Sequence, residues 1–135
     1  MALKSTISSG KTFLLIEDMK NLRIKMKEDL QKFIENATFL EAENLAEAYA
    51  HCEKENIDMI ISDWNLPDGV GIDLLTKIKG TDKFKDVPFL MCTTMDNIDD
   101  ILNAISAGAD EYLVKPWSMD ELKDKVMSSW NNHNA

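Results

Sequence analysis

"IISDWNLPDG", residues 60–69, is the stretch on which the fold turns. An apolar run beginning near Ile57 stops at Asp63, and Trp64, Asn65 and Leu66 then lead into Pro67-Asp68-Gly69, a composition that marks a turn. Apolar side chains occupy both parities of the run, so it reads as a strand buried on both faces rather than one. A strand of that kind fixes the position of its last side chain, and here that side chain is a carboxylate.

The flanking sequence repeats the pattern. "TFLLI", 12–16, is a second short apolar run, followed by Leu22, Met26, Leu30 and Phe33 at helical spacing. "ATFLEA" is a weaker strand, and a helix from about Asn44 to Lys54 follows it, with Leu45, Tyr49 and Cys52 on one face. After the turn, Ile72, Leu75 and Ile78 share a helix that Gly80 can end. "VPFLMC", 87–92, is a fourth strand, and Asp96 can cap a helix whose apolar face is Ile98, Ile101, Leu102 and Ile105, ending at Gly108. "EYLV" is a fifth strand, and Met119, Leu122, Val126 and Trp130 face inward from a last helix. Strands alternating with helices predict an α/β fold, a doubly wound, flavodoxin-like (βα)5 unit with a five-stranded parallel sheet, strand order 2-1-3-4-5 and right-handed crossovers.

With 135 residues, 44% hydrophobic and 29% charged, the chain suits one domain. Residues 1–11 read as a flexible tail, 12–131 as the domain and 132–135 as a short C-terminal tail. A formal charge of −9 without a cluster of Lys and Arg disfavours direct nucleic-acid binding. No apolar run reaches membrane-spanning length and "MALKSTISSGK" lacks a signal-peptide core, so a cytoplasmic location without membrane insertion is expected. Cys52 and Cys92 show neither disulfide nor zinc spacing and are expected to be reduced and buried.

In an open parallel sheet, ligands bind beyond the carboxyl ends of the strands. The first strand ends in Glu17-Asp18, the third in Asp63, the fourth in Thr93-Thr94 and the fifth in Lys115-Pro116. Crowded carboxylates repel one another unless they take up a proton or a cation, and an all-oxygen set suits Mg²⁺, with Mn²⁺ able to take its place. Lys115 can hold an anion that the metal also holds, and a phosphoryl group meets both demands. Asp63 is then the nucleophile, and Thr93 donates to the transferred group.

These residues resemble the receiver domains of two-component response regulators over roughly residues 12 to 130. Glu17-Asp18 matches the acidic pair, Asp63 the phosphoacceptor, Thr93 the switch hydroxyl and Lys115-Pro116 the Lys-Pro; "SDWNLPDG" looks most like single-domain chemotaxis regulators of the CheY type. The resemblance implies Mg²⁺ held by Glu17, Asp18, Asp63 and the backbone carbonyl of Asn65, a reorienting aromatic at Tyr112, and a cis Lys-Pro bond. It also implies a histidine kinase as phosphodonor and an output face formed by helix 4, strand 5 and helix 5. Because no output domain follows Trp130, the signal is expected to leave through contact with a downstream protein, such as a flagellar switch or another chemotaxis protein.

The match has departures. The usual Asp-Asp pair is Glu17-Asp18, Thr94 stands where a small Ala is frequent, and the helix starting "DNIDD" is acidic where motor-binding regulators tend to be basic. Taken singly, Asp63 is a turn residue, Glu17-Asp18 a helix cap, Thr93 a strand-end hydroxyl and Lys115 a solvated amine; their joint order on alternating strands carries the functional reading. Trp64 is expected to be a partly exposed aromatic beside the site. The alternatives are a phosphorelay shuttle to a histidine phosphotransfer protein, a flavodoxin-like electron carrier, for which "EDMKNL" is a poor phosphate loop, and an aspartyl-phosphate hydrolase, for which the chain has no room for a cap. No enzymatic activity beyond slow self-dephosphorylation is expected. Asn65 and Met95 would tune that rate, Met95 standing where chemotaxis regulators can carry an acid that positions water. The Met95→Glu variant should therefore release phosphate faster than the wild type in a release assay, and equal rates would remove Met95 from that role.

Overall fold

A computed structural model describes residues 7–94 and 97–134. The main strands are β1 (Thr12–Ile16), β2 (Thr38–Ala42), β3 (Met59–Asp63), β4 (Phe89–Thr93) and β5 (Glu111–Val114), and they pair in parallel in the order 2-1-3-4-5. Helices α1 (Lys20–Gln31), α2 (Leu45–Lys54), α3 (Gly71–Lys79), α4 (Ile98–Ser106) and α5 (Met119–Asn134) connect or follow them. The doubly wound parallel sheet expected from the alternating pattern is thus observed. Between β3 and α3, Asn65–Leu66 pairs antiparallel with Gly69–Val70, closing the Pro67-Asp68 turn.

Strand alternation splits the core into two layers. Leu14, Ile16, Ile60, Phe89 and Met91 face α2 and α3, whereas Phe13, Leu15, Met59, Ile61, Leu90 and Leu113 face α1 and α5. The near-continuous apolar strands follow from this double coverage. Ile7, within the expected tail, is buried in the second layer. Residues 132–134, also assigned to a tail, continue α5, where Asn132 and His133 both donate to the Asp110 carboxylate.

Three differences from the sequence expectation are physical. The cap of α4 is Asn97, whose side chain accepts from the Asp99 N–H at 2.8 Å; Asp96, the expected cap, and Met95 lie outside the described residues. The apolar face foreseen on α4 does not enter the core, for Ala104 is its buried residue while Ile98, Leu102 and Ile105 are exposed. Trp64 is buried among the α2 and α3 layer instead of partly exposed, because the hairpin folds it back over the sheet. Cys52 and Cys92 are free and buried as expected, and burial pushes their thiols up to about 11 and about 12. Among the described residues no helix is long and apolar enough to cross a membrane.

Two local constraints hold the strand ends in place. Gly71 opens α3 directly against the end of β3, its N–H donating to the Trp64 carbonyl at 2.6 Å, and an added Cβ would lie 2.3 Å from the Asp63 carbonyl oxygen. On the other face, the buried Asp29 of α1 accepts from the Trp117 indole at 2.9 Å and from Lys25 at 2.7 Å, tying the segment after Lys115-Pro116 to α1. Burial alone would raise the Asp29 carboxyl, but the donors from Lys25 and Trp117 outweigh it and hold it below its ordinary value.

Gly71→Ala should lower stability by about 1–3 kcal/mol in urea denaturation because the backbone must shift. Gly80→Ala is the control, since its nearest neighbour would be 3.5 Å away, and it should be nearly neutral. Asp29 has a depressed folded pKa, so its contribution is present above the unfolded value and is lost as pH falls through the folded one. Asp29→Asn should accordingly be less stable than wild type at neutral pH, with the gap narrowing toward about pH 3. A gap independent of pH would assign the bond's contribution to hydrogen bonding without charge.

Candidate phosphoryl and metal site

The parallel register brings the chemistry-bearing residues to one edge. Ile16 pairs with Ser62, so Glu17 stands level with Asp63; Asp63 pairs with Cys92, one residue before Thr93; and Thr93 pairs with Val114, one residue before Lys115. Backbone bonds lock the edge, with the Lys115 N–H donating to the Thr93 carbonyl at 2.8 Å and the Glu17 N–H to the Ala42 carbonyl at 3.0 Å. The Lys115–Pro116 bond is cis.

Glu17, Asp18 and Asp63 each offer a carboxylate oxygen within 4.8 Å of the others. Glu17 is buried, Asp63 is half-buried and Asp18 is exposed, so the cluster opens to solvent on the Asp18 side. The Lys115 ammonium bridges the cluster, hydrogen-bonded to Glu17 Oε1 and lying 3.2 Å from Asp63 Oδ2. The remaining oxygens are also held, Asp63 Oδ1 by the Trp64 N–H at 2.7 Å and Glu17 Oε2 by the Met19 N–H at 3.1 Å.

The electrostatics are those of a site with too much negative charge. Burial pushes the Glu17 carboxyl above its ordinary value and the nearby Asp63 charge adds to this, against the lowering donors from Lys115 and Met19. Burial would lower the Lys115 ammonium, but its bond to Glu17 and the charges of Asp63 and Glu17 more than offset that and raise it. Lys115 therefore stays protonated through the physiological range. Three carboxylates beside one ammonium leave an excess of negative charge, and this all-oxygen donor set fits a divalent cation.

The other expected residues fall around this centre. Thr93 is fully buried at the end of β4, and Asn65 sits in the hairpin immediately after Trp64. Tyr112 is buried in β5 among the α2 and α3 layer. By strand parity Glu17, Asp63 and Lys115 belong to the α1 and α5 side, while Thr93 aligns with Phe89 and Met91 and shares the opposite side with Tyr112.

Several supporting residues were not legible in the sequence. Arg23, buried in α1, donates to the Glu17 carbonyl at 2.7 Å and to Glu41 at 2.8 Å, and lies 3.6 Å from Glu43, fixing the exit of β1 against β2. Asp68 accepts from the Leu45 and Ala46 N–H groups at 2.8 and 3.0 Å, capping α2 from the far side of the turn. Those bonds hold its exposed carboxyl below the ordinary value, the Leu45 bond contributing most. Arg23 reads as one more helical cation and Asp68 as a turn residue; their partners are 18 and 23 positions away, beyond any local pattern.

Comparison with known proteins agrees with the geometry. Residues 13–127 match the family model of the response regulator receiver domain. The Campylobacter jejuni chemotaxis protein CheY homolog is 32% identical over 114 residues, covering 84% of this chain and 87% of that protein. The structure of the Vibrio cholerae chemotaxis response regulator CheY4 superposes with a TM-score of 0.79 at 27% identity, covering 88% of this chain and 98% of that one. The Mn²⁺-bound form of the response regulator Rcp1 superposes with a TM-score of 0.74 at 25% identity, covering 87% and 89%. With this edge of carboxylates and lysine on this sheet, and these relatives, the chain belongs to the response regulator receiver domain family.

Proposed function

We propose that the protein is a phosphorylation-controlled binding module of a two-component system, working in the cytoplasm and in chemotaxis. Asp63 is the acceptor: a carboxylate oxygen attacks the phosphorus of a phosphohistidine on a histidine kinase, the P–N bond breaks as the O–P bond forms, and the released imidazole nitrogen takes a proton from water. Receiver domains are signalling domains, so no substrate turnover follows beyond slow hydrolysis of the acyl phosphate, at a rate tuned by Asn65 and Met95.

The observation that carries this reading is the Lys115 bridge between Glu17 and Asp63. A rigid acceptor and a fixed ammonium need no rearrangement to meet an incoming phosphoryl group, which lowers the barrier by positioning and charge stabilisation. Glu17, Asp18, Asp63 and the Asn65 carbonyl would hold Mg²⁺ or Mn²⁺, and a divalent ion bound there neutralises charge on the phosphoryl oxygens. Once Asp63 is modified, Lys115 is available to grip a phosphoryl oxygen and Thr93 to donate to another.

The sheet supports a route of transmission. Thr93 and Tyr112 share a face and lie on paired strands, so a shift of Thr93 toward the phosphoryl group is felt at Tyr112 and at the surface formed by α4, β5 and α5. A downstream protein that binds the shifted form more tightly reads the signal. The carboxylates after β1 occupy the place where an electron carrier of this topology needs a phosphate-binding loop, which disfavours that alternative.

Intact mass spectrometry after incubation with acetyl phosphate and Mg²⁺ tests the assignment. The wild type should gain one phosphoryl group and Asp63→Asn none. Equal gain by both, or gain by neither, would show that Asp63 is not the acceptor.

A further inference from the structure

The outer side of α4 carries the chemistry that selects a downstream partner. Ile98, Leu102 and Ile105 recur at helical spacing on its outer side and are 69%, 56% and 43% exposed. A helix normally turns such a stripe inward; α4 buries Ala104 instead and half-buries Ile101. The stripe borders a cleft of about 440 Å³ between α4 and α5, lined by Ile101, Ile105, Tyr112, Val114, Glu121 and Lys125 among others. Three exposed apolar residues in a row beside a cleft, on an otherwise charged protein, are the pattern of an interaction surface.

Charge selects the occupant. No Lys or Arg occurs in α4, whose first turn carries Asp99 and Asp100, and among the described residues neither carboxylate is in an ion pair. Glu121, on α5, accepts from the Ser118 N–H and is in no ion pair among the described residues. Lys125, the cation of the cleft lining, is engaged by Glu111 at 3.1 Å. The surface is thus an apolar stripe with an acidic margin on a chain of formal charge −9.

Resting on the functional reading above, we infer that the partner element docking on α4 and the α4–α5 cleft is a cationic amphipathic helix, its apolar face on Ile98, Leu102 and Ile105 and its Lys or Arg residues toward Asp99 and Glu121. Helix-in-groove recognition needs an apolar stripe and a flanking charge pattern, and both are here. A second copy of this chain is disfavoured, because its own acidic margin would face the same acids.

The probe is a fluorescein-labelled 18-residue helix with Leu on one face and Lys on the other, compared by anisotropy with its Glu-for-Lys counterpart, on protein loaded with acetyl phosphate and Mg²⁺. The Lys peptide should bind and the Glu peptide should not. Leu102→Ser should weaken binding about tenfold, and Asp99→Asn and Glu121→Gln about two- to fivefold each. Glu53→Gln with Glu55→Gln, the same loss of charge on the α2 side, should change nothing. Circular dichroism and phosphoryl loading unchanged from wild type establish that each variant is folded.

Equal binding of the two peptides, equal weakening by the α2-side control, or a dimer in solution that Leu102→Ser dissociates would overturn the inference. The two readings fail separately. Loading of Asp63 without peptide binding removes the cationic partner and leaves the phosphoacceptor, whereas Leu102-dependent binding without loading keeps the partner and removes phosphorylation as its control.

Discussion

The position of one ammonium governs the rest of this site. Carboxylate oxygens within 4.8 Å of one another repel by about 3–4 kcal/mol per pair at an effective dielectric near 20. Lys115, touching two of the three groups, offsets much of that repulsion while leaving two net negative charges. Two is the charge of one divalent cation. The cluster is therefore held together without being neutralised, which is the state a site must occupy to take up a metal ion and an anion together.

Holding Lys115 in that position involves the whole domain. Its backbone N–H is tied to β4 through Thr93, and the chain beyond the cis peptide is tied to α1 by the bond from Trp117 to Asp29. Arg23 does the same for the exit of β1, and Gly71 lets α3 approach the end of β3 closely. Each contact joins a strand end to an element distant in sequence. The close placement of the carboxylates is a property of the sheet's register as much as of the residues themselves.

How much of this could be read from the sequence follows from the range of each signal. Apolar runs on both parities betray doubly covered strands, and acids or lysine ending those runs betray the site, because both patterns are local. Glu17, Asp18, Asp63 and Lys115 are legible in this way, and the structure brings them together. Arg23, Asp29, Asp68 and Trp117 each tie distant elements together through a partner 18 to 88 positions away, and those bonds leave no local trace. Trp64 misled because an aromatic beside a turn resembles a surface residue, whereas the short hairpin folds it inward.

The case of α4 is different in kind. Its periodicity was legible, and the helix forms where the spacing places it, but periodicity says that a stripe exists and not what covers it. Here the sheet is covered by Ala104 and by the half-buried Ile101, and the larger side chains are left outside. Removing such a stripe from water stabilises an association by roughly 25 cal/mol for each Å² of apolar surface buried, less the cost of bringing two molecules together. A helix that exposes its largest apolar residues forgoes that stabilisation in the free protein and recovers it in a complex. On the same sheet, then, one edge concentrates charge at the proposed phosphoryl site, and one helix withholds apolar surface at the proposed partner site; Thr93 and Tyr112 lie on adjacent strands and, by strand parity, on one face.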